Sequence, residues 1–355
     1  MKRLLIVVAG LIAYASPAAS PQLAVTQGDE ARPVGACLAT QVCAFNDPED
    51  LADLTGTPWL IVSEAATNGS SGLAAYDTRS GTIIHFVATD LGPSCALGSR
   101  GGGIGLRRDG DSYRLVRILH SGAGGGDAVE SFRVGIIGGR PALNRIGCVS
   151  APSPYFLNDI TPLPDGGFAA THMFDRSVPR DQREKAFLGG SPTGYVVRWS
   201  PTTGWTRIPD TAGVFPNGID ASADGQWLVF AESYGHAINR IRLDGSGRVR
   251  VPLAMQPDNV TALDNTRFIV VGGTGRPLVS TRRCPELRRP GCGFPAVAAE
   301  IDFASSTVRT IAVGGGGSTP GFSVGVVKGQ KLYLGTAFGD RITILAVGSG
   351  VANTP

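Results

Sequence analysis

The chain has 355 residues, 42% hydrophobic, 17% charged and 7% aromatic, with a formal net charge of +3. Ample apolar content at low net charge excludes a disordered chain. Its 50 glycines keep no three-residue period, which excludes collagen, and they are too costly inside helices for a helical bundle.

Residues 1–20 read MKRLLIVVAGLIAYASPAAS. Lys2 and Arg3 make a basic start, Leu4 to Ala13 an apolar run, and Ala13-Tyr14-Ala15 a small-residue cleavage candidate, which is the pattern of a secretory signal peptide. The run is too short to span a bilayer and no other segment is long enough, so no transmembrane segment is expected. The expectation is an exported protein, periplasmic or secreted, with residues 21–355 as one domain. Loss of the basic start leaves the mature chain close to neutral, which argues against a nucleic-acid partner. Cys37, Cys43, Cys95, Cys148, Cys284 and Cys292 form an even set, as disulfides in an oxidising compartment require. Sequence leaves their pairing open, with Cys284–Cys292 the simplest local bridge. No C-x₂-C pair supports zinc.

A degenerate repeat organises the rest. A polar or small dipeptide precedes an apolar anchor, a turn follows five residues later, and a β-rich run follows the turn. The copies begin EDLADLTGTPWLIVSE at Glu49, GGIGLRRDGDSYRLVRI at Gly102, NDITPLPDGGFAATH at Asn158, NGIDASADGQWLVFAE at Asn217, DNVTALDNTRFIVVG at Asp258 and FSVGVVKGQKLYLGTA at Phe322. The anchors are Leu51, Ile104, Ile160, Ile219, Val260 and Val324, and Asp-Gly recurs at the turns, where two-residue hairpins favour it. A second hairpin follows in several copies, as in GLAAYDTRSGTIIHFV and AINRIRLDGSGRVRV. Two hairpins per unit make a four-stranded blade. Six copies predict an all-β, six-bladed β-propeller around a central channel. Insertions fall at about 175–193, and at 282–293 around the Cys-bounded, arginine-rich loop.

The innermost strands of a propeller line its channel, so the dipeptides converge at one rim. Glu49, Asn158, Asn217, Asp258 and Asn259 would offer five side-chain oxygens there with two negative charges. Carboxylates gathered away from water need a counter-charge. Ca²⁺ suits an irregular shell of oxygens, and no His or Cys at these positions favours Zn²⁺.

The segments PEDLADL, LNDITPLPDGGFAATHMF, GYVVRWSP, FPNGIDASADGQWLVFAES with HAINRI, PDNVTAL and SVGVVKGQKLYLGTAF stand in this order over about residues 45–345. Together they resemble the calcium-dependent paraoxonase/arylesterase family, and more distantly gluconolactonase/regucalcin-like and strictosidine-synthase-like propellers. The resemblance implies a catalytic calcium on Glu49, Asn158, Asn217, Asp258 and Asn259. It further implies a structural calcium on Asp50, Asp159 and the Ile104 carbonyl, and a lid at 175–193. The substrate class it implies is a small ester or lactone.

The chain departs from the family at Gly102, where the family carries a catalytic His. The partner His of that pair matches His120. No Cys follows Cys292 to complete the family's staple, and the lid carries Arg180, Asp181, Arg183, Glu184 and Lys185. His120, His172 and Asp258 are the candidate catalytic residues; His85 reads as structural, and His236 as structural or as a support behind the site residues. No G-x-S-x-G elbow and no phosphate loop with its Lys-Ser/Thr ending is present. Two functions follow as expectations: a calcium-dependent esterase or lactonase, or a non-catalytic calcium-held propeller that binds a ligand or partner. Glu232 keeps a metal-free condensation in view as a third.

Overall fold

A computed structural model describes residues 32–66, 70–91, 95, 100–120, 126–274, 284, 286–287, 289–315 and 319–348. The expected signal peptide, and Arg282, Arg283 and Arg288 of the basic loop, lie outside the described residues. Six four-stranded antiparallel sheets form a ring, the expected six-bladed propeller.

Blade 1 runs Asp50–Asp53, Trp59–Ser63, Ser70–Asp77 and Ile83–Val87, and blade 2 Arg100–Asp109, Ser112–His120, Ala128–Ile137 and Arg140–Ser150. Blade 3 runs Leu157–Pro162, Phe168–His172, Tyr195–Ser200 and Gly204–Arg207, and blade 4 Pro216–Ala221, Trp227–Glu232, Ala237–Arg242 and Val249–Pro252. Blade 5 runs Gln256–Ala262, Arg267–Gly273, Ala296–Asp302 and Thr307–Gly314. Blade 6 has Val324–Lys328, Lys331–Gly335 and Ile342–Ala346, with Gln41–Val42 from the other end of the chain as its outer strand. Each blade starts with its inner strand, and these touch in turn around the ring, the sixth meeting the first.

All six anchors are buried. The second strand is largely buried in each blade, and in blades 1, 4 and 5 it reads as an apolar run, WLIV, WLVFA and FIVV. In blade 1, Ile61 packs with Leu115 and Phe132 of blade 2, while Leu60 and Val62 pack with Val326 and Tyr333 of blade 6. Closure joins the chain's two ends: Gln41 pairs with Thr343 and Val42 with Ile342. The fully buried Arg341 donates from Nη1 to Gln41 Oε1 (3.1 Å) and to the Gly35 carbonyl (3.2 Å).

Three disulfides form: Cys37–Cys43, Cys95–Cys148 and Cys284–Cys292, the last as expected from sequence. The blade 3 insertion contains a helix, Arg180–Leu188. Among the described residues no helix is long and apolar enough to cross a membrane.

Candidate metal centre and active site

The dipeptides sit where the inner strands begin, at one mouth of the channel. In four blades a β-bulge coincides with them, between Gly101 and Ile104, Leu157 and Ile160, Pro216 and Ile219, and Pro257 and Val260. A bulge adds an unpaired residue and re-aims side chains. Strict alternation would send only one residue of each dipeptide to a given face. The bulge accounts for Asp258 and Asn259 both joining the channel cluster.

The cluster itself is stitched together. Asn259 Nδ2 donates to Glu49 Oε1 at 3.3 Å, and Ser323 Oγ donates to the Glu49 carbonyl at 2.7 Å. Asn217 Nδ2 donates to Ser233 Oγ at 3.0 Å, and Ser233 Oγ in turn donates to the Pro257 carbonyl. These bonds use the amide nitrogens and leave the amide oxygens. Glu49 Oε2, Asn158 Oδ1, Asn217 Oδ1 and Asn259 Oδ1 are all buried without a hydrogen-bond partner among the described residues. Asp258 completes the set. Burial, then the neighbouring Glu49 charge, pushes its carboxyl up to about 8, and the Asn217 amide offsets part of this. Burial likewise raises Glu49, against the Asn259 hydrogen bond and the His120 imidazole. Orphaned oxygens beside carboxylates that resist ionisation are the chemistry a hard divalent cation relieves. The set draws on amides as well as acids; among the described residues no three His, Cys, Asp or Glu side chains group to hold a metal.

One layer deeper, Asp50 accepts from the Leu51 N–H (2.8 Å) and, through Oδ2, from the Ile104 N–H (2.7 Å). Asp159 accepts from Ile160 and Ile219, both at 2.7 Å. Burial first, and then neighbouring acids (Glu49 for Asp50, Asp50 for Asp159), raises both carboxyls well above the usual range. Ile104 thus joins Asp50 through its N–H. Asp220, which sequence reasoning passed over, repeats the pattern: it accepts from Ala221 (2.7 Å) and from Ala262 of the next blade (2.8 Å). Each aspartate braces one blade to the next.

His120 stands near Glu49. A Cβ on Gly102 would lie 2.8 Å from His120 Nε2, so this imidazole fills the space beside the bare position. Its Nδ1 meets Asp127 Oδ1 at 3.1 Å, and its ring stacks on Phe156 (5.1 Å between centroids). Asp127 is fully buried, accepts from the Leu157 N–H at 2.8 Å and pairs with Arg176. Asp127 and Arg176 escaped sequence reasoning, because only folding places the start of a third strand and the root of the lid beside His120. His172 is placed elsewhere. It is buried against Tyr155 and Tyr195 and accepts from the Phe156 N–H at 3.2 Å. Burial drives its pKa down to about 4, so it is neutral at pH 7, and the charges acting on it are Asp175, Asp127 and Arg176. His85 pairs with Glu64 and His236 meets the Met255 carbonyl, both structural contacts as expected.

Above the cluster lies a cavity of about 130 Å³, floored by Asn217, Asp258 and Ser323 and walled by Phe215, Tyr234, Phe294 and Phe338. Arg180, Asp181 and Lys185 of the lid face out, while Arg183 lies over the Phe174 ring at 4.2 Å. Its Phe187 packs on Phe215 (4.6 Å) and Tyr234 (5.1 Å), and Phe174 stacks on Phe156 (4.7 Å). The channel's other mouth is wider, about 820 Å³, with Asp50, Asp159 and Asp220 at its inner end. The unpartnered oxygens belong to the narrow end.

No protein-family model matches the chain. A curated relative, Protein STRICTOSIDINE SYNTHASE-LIKE 13 of Arabidopsis thaliana, is 32% identical over 121 residues. That match takes in 32% of this chain, and the chain spans 29% of the relative's length. Among solved structures, a luciferin-regenerating enzyme is similar at TM-score 0.55 and 11% identity, over 92% of this chain and 98% of that one. A gluconolactonase of Xanthomonas campestris is similar at TM-score 0.52 and 16% identity, over 91% and 96%. Likeness at such identities shows the shared propeller fold alone.

Proposed function

We propose that the chain is an exported, calcium-dependent hydrolase of carboxylic esters or lactones. The observation that carries this reading is the set of four buried, partnerless oxygens on Glu49, Asn158, Asn217 and Asn259, gathered beside Asp258. These five residues would hold the ion at the floor of the narrow cavity. Bound there, calcium would supply Lewis-acid polarisation of the carbonyl and stabilise charge developing on its oxygen. A second ion would belong to Asp50 and Asp159. The signal-like start and three disulfides support export.

The chain's own residues divide the remaining work. His120 Nε2 is the base that takes the proton from water, beside Glu49 and in the space next to Gly102. Asp127 holds Nδ1 and so sets the tautomer with Nε2 free. Arg176 and the Leu157 N–H fix Asp127. The aromatic walls exclude water and seat the apolar part of the substrate. His172, neutral and enclosed by tyrosines, shapes the wall near the lid.

A panel of aryl acetates and lactones, assayed with calcium and with chelator, tests the reading. Turnover should require calcium and should be abolished in Asp258→Ala with the fold retained. Unchanged rates in that variant overturn the mechanism. The missing imidazole at Gly102 favours a second reading, a calcium-held binding propeller, which flat activity in both conditions would support.

A further inference from the structure

Two pairs of aromatic rings wall the narrow cavity, and a different insertion backs each pair. The lid backs Phe215 and Tyr234 through Phe187. The Cys-bounded loop of blade 5 backs Phe294 and Phe338: its Cys284–Cys292 disulfide is fully buried, and both rings pack against it. The same loop grips the backbone around Phe338. The Cys292 N–H donates to the Phe338 carbonyl (2.9 Å), the Asp340 N–H donates to the Pro290 carbonyl (3.1 Å), and Arg289 Nη1 donates to the Gly339 carbonyl (3.0 Å). Gly321, also in the lining, donates its N–H to the Cys292 carbonyl at 3.0 Å. A Cβ on Gly321 would lie 2.1 Å from the Phe294 ring, so that ring has bare backbone against it as well as the disulfide. A wall held by a covalent staple and close-packed backbone cannot retreat, and such a wall sorts ligands by volume.

We propose that the Cys284–Cys292 insertion is a specificity-determining element of the site. By holding Phe294 and Phe338 over the floor of Asn217, Asp258 and Ser323, it restricts the cavity to small, compact ligands. Neither cysteine is among the lining residues, so the bridge positions the walls and acts through the two rings. At about 130 Å³ the cavity is well below the roughly 300–1,000 Å³ of a drug-sized pocket, which makes volume the property it discriminates. One methylene too many in a close-fitting apolar pocket is worth roughly 10–200-fold in selectivity. The proposal rests on the hydrolase reading only for turnover; exclusion by size is a matter of binding.

The test pairs γ-butyrolactone with the nine-membered lactone of 8-hydroxyoctanoic acid in turnover, and 2-pyrrolidinone with the nine-membered lactam of 8-aminooctanoic acid in binding by ligand-observed NMR. All measurements use the calcium-loaded protein. Wild type should favour the small member of each pair by roughly tenfold or more. Cys284→Ala/Cys292→Ala should erase most of that preference by lowering KM for the large lactone, with kcat for the small one little changed. Phe294→Ala/Phe338→Ala should erase it too, and removing the disulfide from that variant should change it no further, since the bridge acts through the two rings. Cys95→Ala/Cys148→Ala, which removes a bridge on the outer strand of blade 2, should keep the wild-type ratio. A bridge that served stability alone would depress both members of a pair alike. Arg289→Met, which keeps the disulfide and frees the Gly339 carbonyl and Asp47, should shift the ratio the same way by a smaller factor. It decides the matter where the double cysteine variant does not fold, an unmoved ratio then counting against the proposal. Equal binding of the two lactams in wild type, or a preference that survives loss of the Cys284–Cys292 bridge, overturns it. Size discrimination between the lactams without turnover of either lactone upholds the role of the insertion and defeats the hydrolase reading instead.

Discussion

Asn217 and Asn259 show what a side chain can be made to present. Each amide spends its nitrogen on a neighbour, Ser233 or Glu49, and each is left with a bare oxygen. Asp258 carries the electrostatic cost of the cluster. Its raised value of about 8 means that the folded, metal-free protein holds a proton that the unfolded chain releases in the ordinary carboxylate range. The stabilising effect of that proton is full at pH below the unfolded value and is lost as pH rises towards about 8. Chelated protein should therefore melt at lower temperature at pH 8.5 than at pH 6, by scanning calorimetry. Calcium bound at Asp258 as proposed would have to displace the same proton, so its affinity should climb over this interval, with proton uptake by the buffer visible in titrations. In the proposed mechanism Asp127 would act through His120, whose Nδ1 it meets, instead of touching substrate. Asp127→Asn should lower kcat roughly a hundredfold with KM little changed, since general-base assistance is typically of that size. An equal loss in KM would assign it a merely structural part.

At the level of the element, the inner strand is the working unit. Its bulge turns both members of a dipeptide to use, and its neighbours must come close enough for the aspartate braces to reach. Gly218 makes one such approach possible: a Cβ there would lie 2.4 Å from the Asn259 Cα and 2.5 Å from the Asp258 carbonyl oxygen. Those are backbone atoms, and they can move only by shifting two ligand-bearing residues. Gly218→Ala should therefore destabilise by about 1–3 kcal/mol in urea titrations and also weaken calcium binding. Gly103, whose Cβ would meet Asp159 at 2.3 Å, should behave alike. The lid helix has its own division of labour. Arg180, Asp181 and Lys185 face solvent, while Phe187 alone anchors the helix among Phe215 and Tyr234.

For the whole molecule, the decisive features are closure and the filling of the channel. The ring holds because residues 41–42 complete the last blade, and Arg341 ties that junction. Removing a buried charged partner typically costs about 3–5 kcal/mol. Arg341→Ala should lower the melting temperature of the entire protein in one transition, because an opened ring exposes the faces of all its blades. Two-step melting would show that the blades do not depend on closure. Chelation should act on the same transition, since the proposed ions would bind strands from four blades and would be lost when those strands part.

Six anchors in one register, each with its turn, were legible as six blades because burial demands an apolar residue at the same place in every repeat. The five oxygen-bearing residues were legible for the same reason, since equivalent positions converge when a repeat closes on itself. Sequence alone also marked the two insertion points and offered Cys284–Cys292 as the simplest local bridge, which the structure forms. Tertiary structure alone decided which atom of each amide stays free, because that depends on partners such as Ser233 and Glu49 that are remote in the chain. It alone joined Asp127 and Arg176 to His120 and took His172 into a tyrosine cluster. Hydrogen-bond partners and solvent exclusion are properties of packed neighbours, and no periodicity along the chain encodes them.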